Sequence, residues 1–212
     1  MTVQPTKLSR VATGDLVGAE LYDSLSLDDL FNAEKVWAPE KIEIIRELLS
    51  RDVPKTAWPQ SLHWNWAKKA VEMKPYAPGP LSAHRLFGIS AEGRWQGLLL
   101  ARCVGYQTRT APAGRDLVYL EFVETAPWNW RVPQTGRNPV FKGVGLQLVE
   151  LAVRWSDDLG FRGRLGLHSL PQADSFYGGY CGMSDLGPDP KYQNLRYFEL
   201  DESQARMFLE ET

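Results

Sequence analysis

Lys142-Gly143-Val144-Gly145-Leu146 is the stretch on which the reading of this chain turns. Upstream, residues 116–125 (DLVYLEFVET) are rich in β-branched and aromatic side chains, which predicts a strand. Downstream, residues 143–158 place Val144, Leu148, Leu151, Ala152 and Trp155 on one face. Gln147, Glu150, Arg154 and Asp157 fall largely on another, which is the pattern of an amphipathic helix. Gly160 is placed to close that helix. Between strand and helix, the two glycines let a ligand approach the backbone, because no Cβ stands in the way. The first N–H groups of a helix have no partner within it and carry partial positive charge. A phosphate or diphosphate suits such a position, and Lys142 adds a charge. A tight turn that needs glycine is the competing explanation, and a lone GxG decides nothing by itself. The chain has no GxxxxGK(S/T) loop. It also has no GxGxxG, because the residue three after Gly145 is Leu148. The anion site therefore belongs to another class.

Working outward, residues 85–90 and 95–104 read as a hairpin joined by a turn at 91–94. Residues 110–114 and 126–138 read as loops. Residues 164–169 and 194–200 read as strands, and 171–180 and 203–209 as helices. Strand–helix–strand units imply a partly parallel sheet, and the hairpin adds antiparallel strands. The N-terminal part reads as helices. One spans 26–32 with Ser26 as its cap, and a second opens at Pro39 and stops at Asp52-Val53-Pro54. A third spans 62–73, followed by a proline-rich loop over 75–80. The fold class is mixed α/β.

With 43% hydrophobic and 24% charged residues, the chain has the composition of an ordinary packed protein. A net charge of −2 gives no chain-wide attraction to nucleic acid or an anionic membrane. Cys103 and Cys181 are far apart and match no metal-ligand spacing, so reduced thiols and no metal are expected. Residues 1–10 hold no apolar signal segment. The longest apolar run, Leu98-Leu99-Leu100-Ala101, is too short to span a bilayer, so no membrane role and a cytoplasmic location are expected.

The order of elements and two motifs together resemble the GNAT family of N-acetyltransferases. That family's diphosphate loop usually reads Gln/Arg-x-x-Gly-x-Gly/Ala; here residues 140–145 match it except that Val140 stands first. Its last motif usually reads Ala-x-x-Phe-Tyr, three residues, then Gly-Phe. Here Ala173-Asp174-Ser175-Phe176-Tyr177 is followed, after four residues, by Gly182-Met183. The loop 126–138 is also longer than usual. The likeness runs from about residue 85 to the C-terminus and is clearest over 119–183.

The resemblance implies a GNAT-type sheet, mostly antiparallel, in which strands 117–125 and 164–169 splay apart to admit the pantetheine arm of acetyl-CoA. It implies one domain, 1–212, with a helical part, 1–80, shaping the acceptor site and a sheet core, 81–212, holding the coenzyme. Val123, Glu124 and Thr125 would offer backbone groups to the pantetheine. Lys142 and the N–H groups of Gly143, Val144, Gly145, Leu146 and Gln147 would hold the diphosphate, with Ser169 and Tyr177 beside the arm. Tyr177 matches the family's general acid. Glu121 and Glu124 are the candidate bases. Three positions apart on a strand, they point to opposite faces, so one alone serves; Glu124, at the splayed end, is favoured. His168 is a further candidate. His63, Trp64, Trp66, Trp128 and Asn129 are expected around the acceptor, an amine-bearing small molecule or protein. A homodimer is left open by the resemblance. The alternative function is a CoA-binding or regulatory module without catalysis. Nucleic-acid binding through residues 128–137 is not expected, since only Arg131 and Arg137 there are basic.

Overall fold

The computed structural model describes residues 2–73 and 83–211; the proline-rich loop expected at 75–80 lies outside them. Along the chain run β1 (Val3–Arg10), β2 (Leu16–Tyr22), α1 (Leu27–Ser50), α2 (Trp66–Met73), β3 (His84–Ala91), β4 (Arg94–Arg102) and β5 (Val118–Thr125). Then follow β6 (Phe141–Lys142), α3 (Val144–Asp158), β7 (Leu165–Ser169), β8 (Ser184–Asp189), β9 (Leu195–Leu200) and α4 (Glu202–Glu211). The strands form one sheet in the order β6-β1-β2-β3-β4-β5-β7-β9-β8. Every neighbouring pair is antiparallel except β5–β7.

Helices cover both faces. On one, α3 lays Val144, Leu148 and Trp155 over Leu8, Phe87, Leu99 and Val118, and α4 adds Ala205 and Phe208. The approach is close: a Cβ at Gly97 of β4 would lie 2.7 Å from Val144 and 2.8 Å from Leu148. On the other face, Leu30, Trp37 and Trp66 of α1 and α2 pack on Leu86, Leu98 and Leu100. Leu148 is fully buried. Leu148→Ala is expected to lower stability by about 2–5 kcal/mol, through lost contacts and a residual cavity. Urea denaturation should show a lower midpoint with an unchanged slope.

The N-terminal part departs from the sequence expectation in two ways. Residues 3–22 form β1 and β2, so this part is not purely helical. Pro5 is tolerated in β1 because β6 pairs only with Ser9 and Arg10, which leaves most of the outer edge free of ladder bonds. The two helices expected at 26–32 and from Pro39 are one helix of 24 residues with Pro39 inside it. Ser26 caps it as expected, in a reciprocal box with Asp29. Pro39 removes one helical hydrogen bond, a cost of about 3 kcal/mol. The buried stripe Leu30, Ala33, Trp37, Lys41, Ile44 and Leu48 runs unbroken through the proline, and its packing outweighs that cost.

Two irregularities shape the centre of the sheet. Leu100 pairs with Phe122 and Ala101 with Leu120, so Glu121 is an extra residue in a β-bulge. β5 and β7 pair only at Val118↔Leu165 and Tyr119↔Gly166. Beyond them β7 stays on β9 as far as Ser169↔Arg196, while β5 stays on β4 as far as Thr125. A gap therefore opens between two parallel strands, as the GNAT resemblance implies, and the fold is of the GNAT type. Among the described residues no helix is long and apolar enough to cross a membrane.

Candidate active site

The gap opens into a cavity of about 870 Å³, a size typical of ligand pockets. One end of it is the mouth of α3. Gly143, at φ +86°, is its N-cap, with no side chain to satisfy the first amides. That backbone favours glycine. The first hydrogen bond within the helix runs from Gln147 N–H to the Gly143 carbonyl at 3.1 Å. Lys142, Gly143, Val144, Gly145 and Leu146 all line the cavity. Gly145 is also sterically constrained, since a Cβ there would lie 3.0 Å from the Phe176 ring. Gln147 does not belong with this set. Its amide is already used within the helix, and its side chain donates to the Lys7 carbonyl at 3.0 Å.

Val123, Glu124 and Thr125, at the end of β5 that β7 does not pair, form another wall. Glu124 is almost fully buried on the side of α1 and α2. The indole N–H of Trp66 donates to its Oε2 at 2.6 Å, and Lys41 Nζ lies 3.3 Å from Oε1 and 3.4 Å from Oε2. Oε1 has no well-formed hydrogen bond, although Ser61 stands beside the carboxylate on the cavity wall. Burial pushes the Glu124 carboxyl up to about 7, against the opposing pull of Lys41, Trp66 and Ser61.

Tyr177 is buried in a short π-helical turn, Phe176–Tyr180, and lines the same cavity. Burial raises its pKa well above the usual phenol value, so it stays protonated. Asn129 lines the cavity too. It donates to Gln96 and accepts from Phe141 N–H, tying the 126–138 loop to β4 and β6.

The other expected site residues stand elsewhere. Glu121 and Glu124 do not point to opposite faces. The extra residue of the bulge turns Glu121 to the side of Phe122 and Glu124, where it meets His84 at 3.7 Å and Arg102 at 3.9 Å. It does not line the cavity. The Ser169 hydroxyl is buried and donates to the Leu170 carbonyl at 2.9 Å. His63 is exposed over a separate hollow of about 350 Å³. Trp64 packs edge-on against Phe122, and Trp66 backs Glu124 from within the core. Trp128 donates to Gln96 Oε1 at 2.7 Å and faces a different groove, of about 970 Å³. That groove offers no helix mouth and no buried carboxylate of Glu124's kind. His168 is not free to act as a base: Nδ1 meets the Tyr119 hydroxyl at 2.7 Å and Nε2 meets Asp189 at 3.1 Å.

Gln60, Ser61, Arg131 and Gln172 are cavity residues the sequence reading missed, and Trp130 lines the cavity with them. Gln60 and Gln172 each donate a backbone N–H to the other's side-chain carbonyl at 3.0 Å, which joins the segment before α2 to the segment after β7. No local pattern announces such a pair 112 residues apart. Lys41 had a signal, since it is a lysine on the apolar stripe of α1.

Comparison with solved structures supports the fold. The chain is similar to an uncharacterized protein from Bacillus halodurans, with a TM-score of 0.52, 8% identity and coverage of 96% of this chain and 93% of that one. It is also similar to Mycobacterium smegmatis RimJ in complex with CoA-disulfide, with a TM-score of 0.49, 13% identity and coverage of 98% and 93%. A third is the PaiA N-acetyltransferase from Thermoplasma acidophilum in complex with coenzyme A, with a TM-score of 0.44, 12% identity and coverage of 85% and 97%. At 8% identity the first of these likenesses is one of fold alone. No protein-family model matches the chain, and no curated protein matches it.

Proposed function

We propose that this protein is an N-acyltransferase that moves the acetyl group of acetyl-CoA to a primary amine within a ternary complex. One observation carries the reading: the Glu124 residue with its buried carboxylate, a protonated tyrosine and the mouth of α3 line one cavity at a strand gap. The diphosphate takes the free amides of Val144, Gly145 and Leu146, with Lys142 alongside. Arg131, which also lines the cavity, supplies the cation that the apolar Val140, packed against the core, does not. The pantetheine arm occupies the gap and replaces the ladder partner that β5 lacks.

An alkylammonium acceptor has a reference pKa of about 10.4, so it must lose a proton before it attacks. Glu124 receives that proton. The amine nitrogen then bonds to the thioester carbon, and a free amide of β5 stabilises the charge on the carbonyl oxygen. Collapse breaks the C–S bond. The second proton that the nitrogen must shed to become an amide passes to the departing thiolate, directly or through water, so that the products are the amide and the free thiol. Tyr177, whose pKa stands above the roughly 8.5 of a thiol, contributes by hydrogen-bonding the departing sulfur rather than by surrendering its proton. Tyr177→Phe should therefore slow turnover by about 10- to 100-fold, at or below the low end of acid–base contributions because no proton is surrendered, and leave acetyl-CoA affinity nearly unchanged. Full activity in that variant would remove Tyr177 from the mechanism.

The test of the function is release of free thiol from acetyl-CoA with a panel of amines: butylamine, spermidine, an aminoglycoside, and peptides bearing a free N-terminus or a lysine. Amine-dependent release supports the transferase. Coenzyme binding without release across the panel supports a non-catalytic CoA-binding module instead.

A further inference from the structure

Lys41 lies in α1 two residues past Pro39 and is only 4% exposed, an unusual state for an ammonium group. It occupies the apolar stripe between Trp37 and Ile44, where helical register calls for a hydrophobic residue. Its Nζ donates to the Trp64 carbonyl at 2.8 Å and sits 5.8 Å from the ring centroids of both Trp37 and Trp130. It meets Glu124 at 3.3 Å, and the two side chains are 5% and 1% exposed. Fold stability gives little reason for such a pair. Desolvating both charges costs about as much as their attraction returns, and an apolar pair of similar volume is commonly as stable. The pair is also asymmetric: Glu124 lines the cavity and Lys41 does not.

We propose that Lys41 is a positioning residue for the reaction, holding the Glu124 carboxylate ionised and turned toward the cavity so that it is ready to take the acceptor's proton. This rests on the reading of Glu124 as the base. The groups facing Glu124 come from three segments. Lys41 comes from α1, the Trp66 indole and the Lys69 ammonium from α2, and the Ser61 hydroxyl from the segment before α2. Lys69 lies over the Phe122 ring, 3.1 Å from its centroid, and acts on Glu124 through space. Among the described residues Lys41 alone is in ion-pair contact with it. An apolar residue at position 41 removes the largest pull against burial and leaves Trp66 and Ser61 to oppose it, so the carboxyl then holds its proton at neutral pH.

The test is a carboxyl titration of the full chain labelled with 13C at glutamate Cδ, with the Glu124 resonance assigned by its loss in Glu124→Gln. The wild-type midpoint should stand near 7. In Lys41→Met it should move up by ~1–3 pH units, the usual effect of one close opposite charge. Lys41→Arg should bring it most of the way back. If Lys41→Met does not fold, Lys41→Gln keeps a donor for the Trp64 carbonyl and carries the same expectation. This readout needs no turnover. In parallel, the acidic limb of thiol release, measured with the fastest amine of the panel, should follow the carboxyl midpoint upward. A Glu124 midpoint unmoved in the uncharged variant overturns the proposal. A midpoint that moves while the limb stays fixed also overturns it, and locates the failure in Glu124 as base rather than in its link to Lys41.

Discussion

Gly145→Asp is expected to eliminate measurable coenzyme A binding while the protein stays folded. The substitution puts a carboxylate at the helix mouth, where the diphosphate must sit. Two like charges about 4 Å apart near a protein surface repel by about 4 kcal/mol, which is roughly a thousand-fold in affinity. The fold should respond differently. A carboxylate in the first turn of a helix is favourable by about 0.3–1 kcal/mol. The new Cβ, 3.0 Å from the Phe176 ring, asks only for a small shift of that side chain. Calorimetric titration with coenzyme A, beside a thermal melt, separates the two effects. Gly145→Ala carries the same Cβ without the charge and should lose far less affinity. Unchanged binding in the aspartate variant would mean that α3 does not hold the diphosphate.

Glu124→Gln is expected to lower kcat/KM by about 10²–10⁴, the usual contribution of a general base, with acetyl-CoA affinity altered little. The wild-type pH profile carries the more specific expectation. Below about pH 7 the Glu124 carboxyl holds its proton and accepts none, so the rate should rise with pH and level off above that value. The glutamine variant should lose this limb. Stability runs in the opposite direction with pH. A carboxyl whose pKa is raised by folding binds its proton more tightly in the native state. Its ionisation therefore lowers wild-type stability as pH climbs from the ordinary glutamate value to about 7. The stability difference between variant and wild type should shift in the variant's favour across that window. A variant with the full rate and the same acidic limb would exclude Glu124 as base.

The legible part of this protein was the part written in local patterns. The period of α3, the glycines at its mouth and the aromatic β5 lie within 41 residues of each other, and each follows from spacing and side-chain shape. Tyr177 was reached through a motif matched to a family, and it does line the cavity. What stayed hidden depends on contacts distant in sequence. β8 (Ser184–Asp189) is given no element in the sequence reading, and it holds Gly187 and Pro188. It is a strand only because β9 supplies partners around a register shift. Pro39 reads as a helix start because a proline there removes a hydrogen bond, and only the stripe shared with the sheet keeps α1 whole. The bulge at Glu121 reverses the alternation from which its direction was read, and strand pairing alone reveals it. The tryptophans misled for a related reason. Trp66 and Trp128 bury their rings and spend their N–H groups on Glu124 and Gln96, so they build the walls behind a site rather than its lining.

A titration of 15N-labelled protein with coenzyme A, followed through the backbone amides, tests the central assignment most directly. The N–H signals of Val144, Gly145 and Leu146 should move the furthest and toward lower field as they take up the diphosphate. Those of Val123 and Thr125, which face away from β4, should follow as the pantetheine enters the gap. Coenzyme A that binds while these five amides stay in place, or that fails to bind at millimolar concentration, would contradict the account.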